Sequence, residues 1–252
     1  MSSSFSTIKS QGIVPKKSMG QNFLIDNNIV KKIINVSQIT QSDVVVEIGP
    51  GTGILTKELA LKAKKVIAIE KDEKLASNLK IKNVKVITGD ALDVIHEIKG
   101  EYKVVANIPY YLTSFLIRTL LELENKPKDI VLLIQKEVAQ RICSPKNTIL
   151  SLSVNYYGKA QIIDYVSRNC FYPKPKVDSA IIKITLNKEK GNDELFKLIK
   201  KGFSHPRKTL INNLKDKKIE DFLINRGLSK KARPEELNIN DWINLKLFLQ
   251  RE

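Results

Sequence analysis

The chain has 252 residues, of which 42% are hydrophobic and 28% charged, enough for one domain with a sizeable core plus a smaller appendage. Its two cysteines and two histidines are not spaced like metal ligands, which argues against a zinc site and a disulfide scaffold and suits a reducing cytoplasm. The scarcity of histidine also argues against a Ser-His-Asp or Cys-His hydrolase. No apolar run is long enough to cross a bilayer. The net charge of +16 predicts a polyanionic partner, most commonly nucleic acid, although a lysine-rich composition would raise the basic count by itself.

The N-terminal part of the sequence predicts a flexible tail followed by a helix. Residues 1–15 are rich in serine, lack acids and contain no apolar stretch like that of a signal peptide. Residues 27–36 then place apolar side chains on one face of a helix, with Asp26 as its N-cap.

Residues 43–134 alternate between apolar, β-branched runs and helical segments. The predicted strands cover 43–48, 65–70, 84–88, 103–108 and 129–135, and helices such as 54–62 and 112–124 lie between them. Near-continuous apolar runs are typical of parallel strands that are buried on both faces. The alternation therefore predicts an open, doubly wound α/β sheet.

The pattern changes after residue 154. Runs 160–167 and 179–186 predict an antiparallel hairpin with a long loop, and 186–193 is a polar linker. Four short amphipathic segments follow. We predict a first domain over 1–189 and a small all-helical domain over 190–252.

A glycine-rich turn follows the first parallel strand. Gly49, Gly51 and Gly53 allow a sharp turn and the close approach of a ligand. Glu70 ends the next strand, about twenty residues further on, where a carboxylate accepts from ribose hydroxyls. The two features together predict a nucleotide-type pocket more strongly than either alone.

The loop favours S-adenosylmethionine over NAD as the ligand of this pocket. Its spacing is G-x-G-x-G rather than G-x-G-x-x-G, and Glu47 would repel a pyrophosphate. S-adenosylmethionine has no phosphate and carries positive charge, which suits nearby acids. Asp90 ends the third strand, where it can accept from an adenine amino group; it is also a candidate N-cap of the helix that begins at Ala91.

The sequence Asn107-Ile108-Pro109-Tyr110 ends the fourth strand beside the ligand-binding edge of the sheet. An exocyclic base amine is a weak nucleophile and needs hydrogen-bond acceptors for its N–H groups. The Asn107 side-chain oxygen and a main-chain carbonyl can accept them, Pro109 offers no competing N–H, and Tyr110 offers a flat face. The alternative is a β-turn with Tyr110 packed in the core.

These motifs make the sequence similar to the small-subunit ribosomal RNA adenine N6,N6-dimethyltransferases over nearly its whole length. The stretches that carry the resemblance are GQNFL (20–24), EIGPGTG (47–53), Glu70, GDAL (89–92), NIPY (107–110), LIQKEVAQRI (133–142), FYPKPKVDSAII (171–182), RKTLINNL (207–214) and ARPEEL (232–237). The resemblance implies a Rossmann-like S-adenosylmethionine-dependent methyltransferase domain with a C-terminal RNA-contacting helical domain.

The resemblance also implies the activity, the partners and the site. The family adds two methyl groups to N6 of each of two adjacent adenosines near the 3′ end of small-subunit RNA. The resemblance implies a cytoplasmic, monomeric enzyme that acts on a precursor of the 30S particle. It implies neither a metal ion nor contact with a membrane. Implied positions for the methyl donor are Gln21, Asn22, Leu24, Gly49, Gly51, Gly53, Glu70, Asp90, Ala91 and Asn107. Implied positions for the target amine are Asn107, Pro109, Tyr110 and Phe171, the last of which could instead anchor a loop in the core.

Two other hypotheses remain open from the sequence. One is the related class that dimethylates large-subunit RNA and confers macrolide resistance, which shares NIPY and the P-K-P-K-V loop. The other is a non-catalytic relative that only binds nucleic acid. Basic segments at 174–176, 207–208 and 230–231 are candidates for phosphate contacts, although each lysine could simply be solvated.

Overall fold

The structure, a computed structural model, describes residue 8, residues 12–187 and residues 189–250. Within these residues a seven-stranded sheet contains β2 (Val44–Ile48), β3 (Lys65–Glu70), β4 (Val84–Thr88), β5 (Lys103–Asn107), β6 (Asp129–Gln135), β7 (Gly158–Val166) and β9 (Ser179–Leu186). The strand order in the sheet is β4-β3-β2-β5-β6-β9-β7. Strands β2 to β6 pair in parallel, and β9 pairs with β6 antiparallel. The predicted α/β sheet is therefore confirmed.

Helices fill the connections as the apolar spacing predicts. They are α1 (Asn27–Ser37), α2 (Ile54–Lys62), α3 (Glu73–Asn78), α4 (Ala91–Val94), α5 (Thr113–Glu122), α6 (Lys136–Ile142) and α7 (Ile149–Tyr157). Asp26 caps α1 by accepting from the backbone N–H of Asn28 at 2.8 Å. Val30 and Ile33 of α1 are buried against Val45 and Val131 of the sheet, so one face of α1 closes the core.

The segment predicted as a plain loop between the last two strands contains a further strand. Strand β8 (Phe171–Tyr172) leaves the sheet and pairs antiparallel with β1 (Phe23–Leu24). β7 and β9 are neighbours in the sheet, as predicted for a hairpin. The pairing of β8 with β1 joins the N-terminal segment to the loop before β9.

The chain divides into two compact units. The first comprises residues 1–140 and 159–186, and the second comprises 141–158 and 187–252. The second unit contains α7 together with α8 (Asp193–Gly202), α9 (Leu210–Leu214), α10 (Lys218–Asn225) and α11 (Ile239–Leu249). The predicted boundary near residue 190 left α7 in the first domain; α7 groups with the later helices because Tyr157 stacks on Phe196, with ring centroids 5.8 Å apart.

Of the predicted flexible tail, residues 1–7 and 9–11 lie outside the described residues. Ile8 is buried in a cluster with Phe23 and Leu75, and its carbonyl accepts from the Ile13 N–H at 3.1 Å, so this position is docked rather than free. None of the helices in the described part of the chain is long and apolar enough to span a membrane.

Candidate active site

A cleft lies at the carboxyl ends of the parallel strands in the first unit. It has about 990 Å³ of space, part of it open to solvent. Its lining comes from the segment before β1, the β2–α2 loop, and the ends of β3, β4 and β5. Parallel strands present their carboxyl ends at one edge of the sheet, which is where ligands bind in open α/β folds.

The glycine-rich loop after β2 turns by using left-handed backbone conformations. Gly49, Gly51 and Gly53 have φ of +66°, +57° and +76°. A side chain at Gly51 would also meet the Phe23 ring, whose Cδ1 lies 3.0 Å from the position of an added Cβ. The loop therefore needs glycine both for its turn and for the close approach of β1.

Glu70 at the end of β3 is fixed by two backbone donors. Its Oε2 accepts from the Gly51 N–H at 3.0 Å and its Oε1 accepts from the Asp72 N–H at 2.9 Å. These bonds join the end of β3 to the glycine loop and hold both carboxylate oxygens at the wall of the cleft. Burial raises the pKa of Glu70 despite both bonds.

Glu47 differs from the expectation drawn from the sequence. Its side chain is 1% exposed, and no hydrogen-bond partner for Oε2 lies among the described residues. Burial, with a smaller contribution from the charge of Glu70, raises the pKa of Glu47 to about 8. Glu47 is therefore mainly protonated at neutral pH and would not repel a pyrophosphate as a full charge, which weakens that argument against a dinucleotide.

Asp90 has two partners at the end of β4. Its Oδ1 accepts from the Leu92 N–H at 3.0 Å and caps α4, as predicted. Its Oδ2 pairs with the Lys71 ammonium at 2.8 Å, and this bond is the main cause that lowers the pKa of Asp90. The carboxylate is thus charged and lies at the cleft, while Ala91 beside it is buried and also lines the cleft.

The segment before β1 covers one side of the cleft. Gln21 accepts from the Lys16 N–H at 2.7 Å and donates to Asp72 at 3.3 Å, while Asn22 donates to the Gly20 carbonyl at 3.1 Å. Leu24 is 2% exposed and belongs to the main core, with part of its surface on the cleft. Gln21 and Asn22 therefore order this segment through their side chains, and Leu24 anchors it.

Asn107 ends β5 with its amide in a defined orientation. Its Nδ2 donates to the Asn22 carbonyl at 3.2 Å, which leaves Oδ1 as the side-chain acceptor on the cleft. The Pro109 carbonyl already accepts from the Leu112 N–H at 3.0 Å, so the Ile108 carbonyl is the better second acceptor. The structure brings both acceptors to the same cleft as the glycine loop.

Tyr110 is neither a core residue nor a free side chain. It lines the cleft, and its hydroxyl shares a 2.8 Å hydrogen bond with Ser179 of β9. Burial raises the pKa of Tyr110, so the phenol stays neutral at physiological pH. The ring is therefore held in place by its far end while one side remains at the cleft.

Phe171 lies away from the cleft, in contrast to the role implied by the resemblance. Its side chain is 3% exposed and packs in the main core with Leu24, its partner across the β1–β8 pair. Cross-strand partners share a face and successive residues alternate, so Tyr172 shares the other face with Phe23. Contact between Phe171 and a target base would require β8 to rearrange.

Several residues of the cleft lining were not among the predicted site residues, and Phe23, Lys71 and Tyr111 are examples. Phe23 packs over Gly51, Lys71 pairs with Asp90, and Tyr111 is 58% exposed at the edge of the cleft. Tyr111 follows the acceptor motif directly, and Phe23 lies within the GQNFL stretch, so both stand next to predicted positions. The pairing of Lys71 with Asp90 depends on tertiary structure.

The predicted phosphate-contacting segments are on the surface of their units. Lys174 and Lys176 are exposed in the first unit, and Arg207 and Lys208 are exposed in the second. Lys230 is already paired with Glu220 at 2.5 Å. Lys230 is therefore the weakest of these candidates.

Comparison with known proteins finds one family along nearly the whole chain. The model of the family described as "Ribosomal RNA adenine dimethylase" matches residues 14–251. A ribosomal RNA small subunit methyltransferase A of Bacillus pumilus is 41% identical, covering 97% of this chain and 94% of that protein; one of Mycoplasma capricolum is 37% identical over 91% and 96%.

Two solved structures are similar in fold. A dimethyladenosine transferase from Plasmodium falciparum has a TM-score of 0.75 and 30% identity, covering 89% of this chain and 95% of that one. The 23S rRNA methyltransferase ErmE has the same TM-score at 24% identity, covering 91% of this chain and all of that one. A protein named for 23S rRNA is thus as similar in fold as the dimethyladenosine transferase, and the fold alone does not specify the substrate.

Proposed function

The chain belongs to the ribosomal RNA adenine dimethylase family, a family of methyltransferases, and on this premise we propose that it dimethylates N6 of two adjacent adenosines near the 3′ end of small-subunit ribosomal RNA. The methyl donor in this proposal is S-adenosylmethionine. The substrate is the RNA within a precursor of the small subunit, and the enzyme acts as a monomer.

The observation that carries the proposal is the pair of acceptors at the end of β5. Asn107 Oδ1 and the Ile108 carbonyl accept the two N–H groups of an exocyclic amine, while Pro109 presents no donor that competes for the nitrogen lone pair. This arrangement keeps the lone pair free to attack. A water molecule takes the proton that leaves the nitrogen after attack, and no side-chain base is needed.

The residues around the glycine loop fit a cationic donor without phosphates. Among the described residues the buried Glu47 Oε2 has no partner, and Glu47 lines the cleft together with the glycine loop. Glu70 would hold the ribose hydroxyls, Asp90 the adenine amino group and Glu47 the positively charged end. When bound, S-adenosylmethionine supplies a methyl group on a sulfonium; the positive charge favours ionisation of Glu47.

The target adenosine has to leave its stack to reach a cleft of this kind. Extruding a base costs a few kcal/mol, and stacking on an aromatic ring offsets part of this cost. Tyr110 supplies that ring, and its hydroxyl bond to Ser179 keeps the ring from turning away. Its neutral, hydrogen-bonded phenol has no role as a base.

The choice of the small subunit is supported by sequence rather than by fold. The two small-subunit relatives reported above are 41% and 37% identical, whereas the 23S rRNA methyltransferase is 24% identical at the same TM-score as the dimethyladenosine transferase. Incubation of the purified chain with labelled S-adenosylmethionine and isolated subunits tests the choice. We expect label in small-subunit RNA only; label in large-subunit RNA only would contradict the proposal.

A further inference from the structure

Two aromatic side chains stand exposed directly after the acceptor motif. Tyr111 is 58% exposed and Phe115, in the first turn of α5, is 66% exposed. Large apolar side chains are usually turned inward, and a pair of exposed rings next to a functional cleft indicates a contact with a ligand or partner. Neither ring is needed for the acceptor geometry described above.

The position of Tyr111 places this pair at the mouth of the cleft. The Tyr111 ring packs against Gly20, where an added Cβ would lie 3.2 Å from its Cδ1, and the residue lines the cleft. Tyr110 and Tyr111 are consecutive, so their Cα atoms are about 3.8 Å apart. Phe115 follows Tyr111 by four residues, across the 3-10 turn Tyr110–Leu112 and into the first turn of α5, so the two exposed rings are close along the chain.

The charges around the pair favour a nucleic acid over an apolar protein surface. Lys71 lines the same cleft as Tyr111 and is more than half exposed beside its partner Asp90. Arg118 lies one turn after Phe115, and the first acid of α5 is Glu122. Flat rings beside cations are the combination that holds unpaired bases and the backbone that connects them.

We propose that Tyr111 and Phe115 form an aromatic platform on which the base next to the target adenosine stacks. This inference rests on the proposed function, in which the neighbouring base is the second adenosine of the pair. While one adenosine occupies the cleft at Tyr110, its neighbour lies on the aromatic platform. Stacking tolerates any base because every base has a flat face, so the same platform serves whichever adenosine is outside the cleft.

Fluorescence of a modified RNA tests the platform. One adenosine of the pair is replaced by 2-aminopurine, whose emission falls when it stacks on an aromatic ring. We expect the wild-type chain to quench the emission on binding. The double variant Tyr111→Ser/Phe115→Ser should leave it high and weaken RNA binding by roughly 5- to 150-fold.

Matched variants separate stacking from other effects. Phe115→Ser should keep its affinity for S-adenosylmethionine, because Phe115 lies outside the cleft lining. Phe115→Trp should keep the quenching. Leu61 is another exposed apolar side chain, 69% exposed, and lies at the end of α2 that is distant from the glycine loop. Leu61→Ser should change neither the 2-aminopurine quenching nor the RNA affinity.

Three results would overturn the platform. The first is quenching and RNA affinity that are equal in the wild type and the double variant. The second is a double variant that methylates free RNA normally and fails only on assembled subunits, which would assign the rings to a ribosomal protein. The third is a wild-type chain that methylates neither free RNA nor the RNA of precursor or assembled small subunits; this result would also refute the proposed function, whereas the first two leave it standing.

Discussion

The Asn107 amide donates through Nδ2 to the main-chain carbonyl of Asn22 at 3.2 Å, which joins the end of β5 to the segment before β1. Because this bond turns the amide nitrogen toward Asn22, Oδ1 is the atom that can accept from a substrate amine. The same bond connects the acceptor motif with a segment that also walls the donor side of the cleft. Asn107 is thus oriented by the fold before RNA binds.

Replacing Asn107 should affect the chemical step more than binding. We expect Asn107→Ala to lower the single-turnover rate of methyl transfer by about 100-fold or more, because an aligned acceptor for the developing charge is lost. RNA affinity, measured by filter binding, should persist. Asn28→Ala is a matched control, because Asn28 is exposed at the start of α1. A variant at Asn107 with near-normal turnover would falsify the role assigned to it.

The buried acid Glu47 should make stability depend on pH. Its pKa rises from an ordinary 4.5 to about 8 in the folded chain, so between these values the folded chain holds a proton that the unfolded chain has lost. The free energy of unfolding therefore falls as the pH rises through this window. The variant Glu47→Gln has no acid at this position and therefore does not show this pH-dependent loss of stability. Chemical denaturation at pH 5 and pH 8 should show that the free energy of unfolding falls more in the wild type than in the variant, by a few kcal/mol at most.

Glu70 also makes the free energy of unfolding fall as the pH rises, in the wild type and in the Gln variant alike, since burial raises the pKa of Glu70 as well. The difference between the two declines therefore reports the titration of Glu47 together with its coupling to Glu70. Equal declines in the wild type and the Gln variant would show that Glu47 does not titrate in this range.

Asp90 should have two separable roles. Asp90→Asn retains an N-cap for α4 and loses the charge that pairs with Lys71, whereas Asp90→Ala loses both. We expect the Ala variant to be less stable by about 1 kcal/mol and the Asn variant to keep most of that stability. Calorimetry with S-adenosylmethionine should show weaker binding in both, and unchanged binding would remove Asp90 from the donor site.

Variants of Tyr110 should distinguish the ring from its hydroxyl. Tyr110→Phe loses the bond to Ser179 and should lower stability by about 0.5–1.5 kcal/mol while RNA binding persists. Tyr110→Ala also loses the ring and should weaken RNA binding by about 1–3 kcal/mol. Ser179→Ala is the control for the hydroxyl, because Ser179 is fully buried. Equal RNA affinity of the Ala and Phe variants would argue against stacking.

The sequence predicted the elements of this fold closely because its strands are continuous apolar runs and its helices keep a regular apolar spacing. Predicted helix 54–62 and strands 65–70, 84–88 and 129–135 coincide with the observed elements. The glycine loop, Glu70, Asp90 and the acceptor motif also meet at one cleft, because parallel strands share an edge.

Features that depend on tertiary contacts could not be predicted from the sequence. Strand β8 has two residues, too few for an alternating pattern, and its pairing with β1 turns Phe171 into the core. The protonation of Glu47 depends on complete burial, which a strand-end acid does not reveal by its position. The grouping of α7 with the second unit depends on contacts made far along the chain.

RNA affinity should fall steeply with salt if the charge of +16 serves RNA binding. The logarithm of affinity falls by about 0.7 to 0.9 per contacted phosphate for each logarithmic unit of salt. Arg207→Ala and Lys208→Ala should each lower the slope by about 1 if they contact phosphates. Lys230→Ala is the control, because Lys230 pairs with Glu220, and should leave the slope unchanged. A flat salt response would make the charge a matter of composition.

The most direct test of the proposed function is mass spectrometry of ribosomal RNA from cells that lack this chain and from the same cells expressing it. We expect N6,N6-dimethyladenosine at two adjacent positions near the 3′ end of small-subunit RNA when the chain is expressed, and unmodified adenosines there when it is absent or carries Asn107→Ala. Dimethyladenosine that appears only in large-subunit RNA, or an unchanged small-subunit 3′ end, would contradict the proposal.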